Sequence, residues 1–149
     1  MRDPSWHFIV LLESQLTMGA TKTVRVMLVE DHLAFREALA FLLTQDEESD
    51  LEVVAQAGSL AEARAALLDG HLDGRLDVAV LDLGLPDGDG SELIGELRRA
   101  NPGVLVVVLS AAMGPGHVED VVKAGAEAVL DKVESIPTIA EVVRRLAGR

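Results

Sequence analysis

The sequence has no cysteine and no tyrosine, only three phenylalanines and one tryptophan, and 13 cationic side chains against 25 acidic ones. Without cysteine there are no disulfides, zinc thiolates or thiol nucleophile, which fits a reducing, cytoplasmic compartment. With few aromatics, the core has to be built from Val, Leu, Ala and Ile. The formal net charge of −12 removes the basic surface that a phosphate backbone requires, so no nucleic acid is expected to bind this chain unaided. An acidic balance suits a cation site or a basic partner instead. No apolar run approaches the ~20 residues that span a bilayer, and no membrane role is expected.

What the chain does have is 49% hydrophobic residues in a length of 149, enough for one domain with a proper core. Near the start, Trp6–Leu12 has the length of a signal-peptide core, but Asp3 and Glu13 flank it and the cleavage region is unconvincing. Residues 1–22 therefore read as an N-terminal extension, disordered or a short helix on the domain, with Met18 as a natural start. Residues 23–147 read as the domain itself.

From Val24 onward the hydrophobic period alternates. Strands are expected at Val24–Val29, Leu51–Ala57, Asp77–Leu81, Val104–Leu109 and Ala128–Leu130. Between them lie helical stripes: Phe35, Ala38, Leu39, Leu42 and Leu43; then Leu60, Ala63, Leu67 and Leu68, capped by Ser59 and stopped by Gly70. A third stripe carries Leu93, Ile94 and Leu97, capped by Ser91 and ended before Pro102. The fourth has Val118, Val121 and Val122, broken by Gly125. The last has Pro137 in its first turn and buries Ile136, Ile139, Ala140, Val143 and Leu146. Five strands alternating with five helices predict an α/β fold, a doubly wound five-stranded parallel sheet of order 2-1-3-4-5.

In such a sheet ligands bind beyond the carboxyl ends of the strands. There the sequence places Glu30 and Asp31 after the first strand, Asp82 after the third, Ser110 after the fourth and Lys132 after the fifth. Strands one and three are neighbours in this order, so three carboxylates share one small volume and at least one pKa should rise unless a cation intervenes. Oxygen-only ligands suit Mg²⁺, with Ca²⁺ or Mn²⁺ as substitutes, and Gly84 can lend a backbone carbonyl. A metal alone needs neither Ser110 nor Lys132. A phosphoryl group needs both, because its charge has to be met from several sides, and Asp82 is then placed as a nucleophile that forms an aspartyl-phosphate. His32 reads as a helix-start residue, and His7, His71 and His117 show no metal-ligand spacing.

These motifs resemble the receiver domain of two-component response regulators. "VMLVEDHLAFREALAFLL" looks like the opening strand, acidic pair and first helix. "VAVLDLGLPDGDG" looks like the phosphoacceptor strand and loop, with Pro86 and Gly90 at the usual offsets. "VVVLSA" and "AGAEAVLDK" supply the hydroxyl and lysine positions. The resemblance implies Asp82 as phosphoacceptor, Asp31 as a direct Mg²⁺ ligand with Glu30 acting through water, the Gly84 carbonyl as a further ligand, Ser110 as switch hydroxyl and Lys132 as phosphate-binding cation. It also implies a sensor histidine kinase as donor and self-assisted phosphorylation and dephosphorylation rather than enzymatic turnover of a substrate.

The Asp-His start and Val133 after the lysine look most like the NarL/LuxR-type subclass, which normally carries a C-terminal helix-turn-helix DNA-binding domain. The resemblance implies a stand-alone receiver or a piece cut at the linker, with association through the face of the fourth helix, fifth strand and fifth helix, including a homodimer. Two features depart from the family: Val129 stands where an aromatic switch residue is common, and "MGPG" at 113–116 leaves the start of the fourth helix poorly specified. Two other functions compete. A phosphorylation-independent adapter is opposed by the complete acidic site. A Mg²⁺-dependent phosphatase with an aspartyl nucleophile needs a second acid two residues on, where Gly84 stands.

Overall fold

Alternation of apolar residues on successive strands determines how the layers assemble. In the computed structural model, which describes residues 23–45, 50–68, 72, 75–111 and 114–148, strands β1 (Val24–Val29), β2 (Leu51–Ala57), β3 (Val78–Asp82), β4 (Leu105–Ser110) and β5 (Ala128–Asp131) form one sheet. Its order is β2-β1-β3-β4-β5 and every pairing is parallel. Successive side chains point to opposite faces. Met27, Val29, Ala79, Leu81, Val106 and Val108 therefore enter one core, and Val26, Leu28, Val78, Val80, Val107 and Leu109 enter the other.

The helices are α1 (Leu33–Thr44), α2 (Leu60–Leu68), α3 (Glu92–Ala100), α4 (Pro115–Ala124) and α5 (Ile136–Ala147). Leu39 and Leu43 of α1 join Ile139, Ala140, Val143 and Leu146 of α5 in the second core. Leu60 and Ala63 of α2, Leu93, Ile94 and Leu97 of α3, and Val121 of α4 pack in the first. The expected doubly wound fold is present. No helix among the described residues is long and apolar enough to cross a membrane.

Several local expectations shift. β3 starts at Val78 and runs through Asp82; Asp77 precedes it, its N–H donating to the Arg25 carbonyl and a carboxylate oxygen accepting the Arg25 N–H, both at 2.9 Å. β4 spans Leu105–Ser110, so the serine is the last strand residue and not part of the loop, and β5 extends to Asp131. Leu68 and Val122 are 84% and 51% exposed, since by those positions the 3.6-residue repeat has rotated past each buried stripe. Ser59 does cap α2, its Oγ accepting from the Glu62 N–H at 3.1 Å. Ser91 does not cap α3: its backbone is already helical, and its N–H donates to Asp89 Oδ1 at 2.9 Å. Gly125 ends α4 in the left-handed region, at φ 119°. The readings for residues 1–22, Gly70, His71 and the first residue of the "MGPG" segment, Met113, lie outside the described residues.

Candidate functional site

Because all five strands run the same way, their carboxyl ends share one edge, and the residues singled out there converge. Glu30 and Asp82 are each 2% exposed, and Ser110 is 3% exposed. One ligand atom from each of Glu30, Asp31, His32 and Asp82 lies within 4.8 Å of the others. Lys132 reaches into this group, its Nζ 2.9 Å from Glu30 Oε1 and 3.1 Å from Asp82 Oδ2. The far side of Asp82 is met by the Gly84 N–H, which donates to Oδ1 at 3.0 Å. The Ser110 carbonyl accepts the Lys132 N–H at 3.0 Å, which ties the ends of β4 and β5 together.

The two buried carboxylates are driven apart electrostatically. Burial pushes Asp82 up, the charge of Glu30 adds to it, and the Gly84 N–H and Lys132 only partly oppose them, leaving the acid at about 6. Glu30 is also pushed up by burial, but the His32 N–H, Lys132, Asp31 and the His32 side chain together hold it down at about 2. For Lys132, burial is outweighed by Glu30 and Asp82, and its pKa rises. The rise expected for one of three crowded carboxylates falls on Asp82.

The acidic loop after β3 divides its carboxylates among separate tasks. Asp87 caps α2, its two oxygens accepting from the Leu60 and Ala61 N–H groups at 2.8 and 3.0 Å, which holds its own pKa down. Asp89 orders the entry to α3. Asp82 and Asp89 both line the cleft at the sheet edge, a hollow of about 340 Å³ whose walls also include His32, Gly84, Ser110, His117 and Lys132, and of the two Asp82 is the buried one. Gly90 closes the loop so tightly that a Cβ there would lie 2.2 Å from the Asp82 carbonyl oxygen. Gly90→Ala is therefore expected to destabilise the protein by about 2 kcal/mol, as overpacking against rigid backbone does. Urea denaturation measures this, and an unchanged midpoint would contradict the close approach.

Reading residue types along the sequence missed two neighbours, His117 and Phe35, and placed the third, His32, at the helix start beside the acidic pair, where it stands. His117 accompanies Ser110, its Nε2 3.2 Å from the hydroxyl. From the helix start, His32 places Nδ1 3.0 Å from Glu30 Oε2 and 3.4 Å from Asp31 Oδ1. Phe35 lies beneath Lys132, whose Nζ is 5.4 Å from the ring centroid. The signal for His117 was its position just beyond the carboxyl end of β4, not any metal-ligand spacing.

A five-stranded parallel sheet of this order, with buried acids and a lysine at its carboxyl edge, has the architecture of a receiver domain. The chain belongs to the response regulator receiver domain family, whose model matches residues 26–144. It is 39% identical over 127 residues to the DNA-binding transcriptional activator DevR/DosR of Mycobacterium tuberculosis, covering 85% of this chain and 56% of that protein. It is also 39% identical over 110 residues to the transcriptional regulatory protein UhpA of Salmonella typhimurium, covering 73% and 51%. The chain thus spans about half the length of these curated relatives. Among solved structures, the signal receiver domain of the putative response regulator NarL from Mycobacterium tuberculosis superposes with a TM-score of 0.70 at 30% identity, covering 85% of this chain and 98% of that one. The non-phosphorylated HemR receiver domain from Leptospira biflexa gives 0.72 at 25% identity, covering 85% and 95%.

Proposed function

We propose that Asp82 is the phosphoacceptor of a phosphorylation-dependent switch, supplied by the phosphohistidine of a sensor histidine kinase in the cytoplasm. The observation that carries this reading is the pair of contacts at Asp82, a buried carboxylate held between the Gly84 N–H and the Lys132 ammonium at the floor of an open cleft. In the transfer, a carboxylate oxygen of Asp82 forms the new O–P bond, the N–P bond of the donor breaks, and the released imidazole nitrogen takes up a proton from solvent. Lys132 and Ser110 meet the phosphoryl oxygens, and burial keeps competing water from their charges.

The donor set fits a divalent cation. Among the described residues Glu30 Oε1 is buried and accepts no hydrogen bond, although the Lys132 ammonium stands beside it. The neighbouring ligand atoms of Asp31 and Asp82 are carboxylate oxygens, as Mg²⁺ prefers. Asp31, Asp82 and the Gly84 carbonyl would hold Mg²⁺ directly, with Glu30 acting through water. When bound, the ion supplies positive charge that neutralises the acids and the incoming phosphoryl oxygens.

The domain assists its own phosphorylation and dephosphorylation and is not otherwise an enzyme. Its output is partner association, including a homodimer through the α4–β5–α5 face, or transcription through a C-terminal helix-turn-helix domain beyond Arg149. The exposed Val122 on α4 supports that face as a contact surface. Intact mass after incubation with acetyl phosphate and Mg²⁺ tests the reading. A gain of about 80 Da per chain is expected, and none when EDTA replaces Mg²⁺. No gain in either condition would overturn it.

A further inference from the structure

His117 lines the cleft but has no task in the proposed transfer. His117 is in the first turn of α4, and its Nε2 lies 3.2 Å from the Oγ of Ser110, the buried last residue of β4. A serine hydroxyl carries one proton and two acceptor lone pairs. To serve a phosphoryl group on Asp82, that single proton has to point into the cleft. An imidazole that accepts it would keep it out, whereas an imidazole that donates from Nε2 occupies a lone pair of Oγ and leaves the proton for the phosphoryl oxygen. Hydrogen bonds in such a chain polarise one another, so the serine becomes a stronger donor.

The main chain of Ser110 is already fixed by ladder pairing and by the Lys132 N–H on its carbonyl. His117, at 3.2 Å from Oγ, is placed to orient the hydroxyl. We propose that His117 is a positioning residue for phosphoryl uptake, donating from Nε2 to Ser110 Oγ so that the serine proton is directed to the phosphoryl group. The assignment rests on Asp82 being the phosphoacceptor. The same bond ties the first turn of α4 to the site. Among the described residues, Gly114 caps that turn without a side chain, and neither Gly114 nor Gly116 has a neighbour where a Cβ would stand.

The test is the initial rate of phosphoryl gain from acetyl phosphate and Mg²⁺, followed by intact mass. It compares wild type, His117→Ala, His117→Phe, His117→Gln, Ser110→Ala and the Ser110→Ala/His117→Ala double variant. His117→Ala and His117→Phe, which lack the donor at small and large volume, are expected to slow uptake about 3- to 10-fold. His117→Gln, which restores an N–H at similar reach, should stay within about twofold of wild type, as expected when a donor is retained. In the Ser110→Ala background, loss of His117 should have no further effect, because the two act as one unit. An undiminished rate in both donor-free variants overturns the assignment, as does equal slowing with and without Ser110. No gain in wild type itself overturns the phosphoacceptor reading, and the role of His117 falls with it.

Discussion

Asp82→Asn is expected to make the metal-free protein more stable near neutral pH while abolishing phosphoryl uptake. The folded pKa of Asp82 is raised from 3.8 to about 6, so above pH 6 the fold carries an unfavourable buried charge. A shift of about 2 units, in which the opposing Gly84 and Lys132 contacts are already counted, corresponds to ~3 kcal/mol, and partial solvation of the charge at the open cleft brings the expected gain to about 1–2 kcal/mol. The sign follows from proton linkage. Between pH 3.8 and about 6 the folded state binds the Asp82 proton and the unfolded state does not, so this group's stability contribution falls as pH rises through that window. Glu30 behaves oppositely. Its folded pKa is lowered from 4.5 to about 2, so its contribution is present above 4.5 and is lost as pH falls toward 2.

Wild type should therefore lose stability relative to Asp82→Asn as pH rises from 4 to 6 in EDTA, with no further divergence above that. Saturating Mg²⁺ should raise the wild-type melting temperature and remove most of the difference, since a bound cation stabilises the folded state by mass action. Urea denaturation across this range measures the first, and thermal melts with and without Mg²⁺ measure the second. An Asp82→Asn protein less stable than wild type at pH 7 without metal would contradict the electrostatic account.

Lys132→Met carries the second large effect. Methionine keeps an unbranched stem but removes the ammonium that stands 2.9 and 3.1 Å from the two carboxylates. Glu30 and Asp82 then face each other in the interior without their cation. The pKa of Asp82 should rise further, and at pH 7 without metal the protein should lose about 3 kcal/mol, as expected when one member of a buried ion pair is removed. The deficit should shrink at pH 5, where Asp82 is protonated in the folded state. Phosphoryl uptake should fall about 100-fold or more, the usual cost of losing an electrostatic contact to a developing charge. Mg²⁺ is expected to restore much of the stability but little of the rate. Recovery of both would place Lys132 outside the transfer step.

The sheet order and the shared acidic edge were legible in the sequence because both follow from periodicity. Alternating strands and helices leave few allowed topologies, and the residue after each parallel strand lands on the same edge whatever the intervening helix contains. Glu30, Asp31, Asp82, Ser110 and Lys132 accordingly lie together at that edge. Periodicity has no purchase on side chains that reach the edge from helices. His117 and Phe35 enter the site by the rotation of α4 and α1, which depends on which helical face meets the sheet. Ser91 illustrates another limit. A capping residue type at a helix start does not specify its own backbone conformation, and here Asp89 fixes the turn. Nor could the loop composition say that Asp87 would cap a helix across the fold while Asp82 faced the cleft.

The proposed switch places the phosphoryl group on Asp82. Treating acetyl phosphate-loaded protein with borohydride reduces an aspartyl-phosphate to homoserine, and peptide mass mapping then locates the converted residue. The account predicts homoserine at position 82 in wild type and no conversion anywhere in Asp82→Asn. Conversion at another acidic residue, or loading that survives in Asp82→Asn, would contradict it.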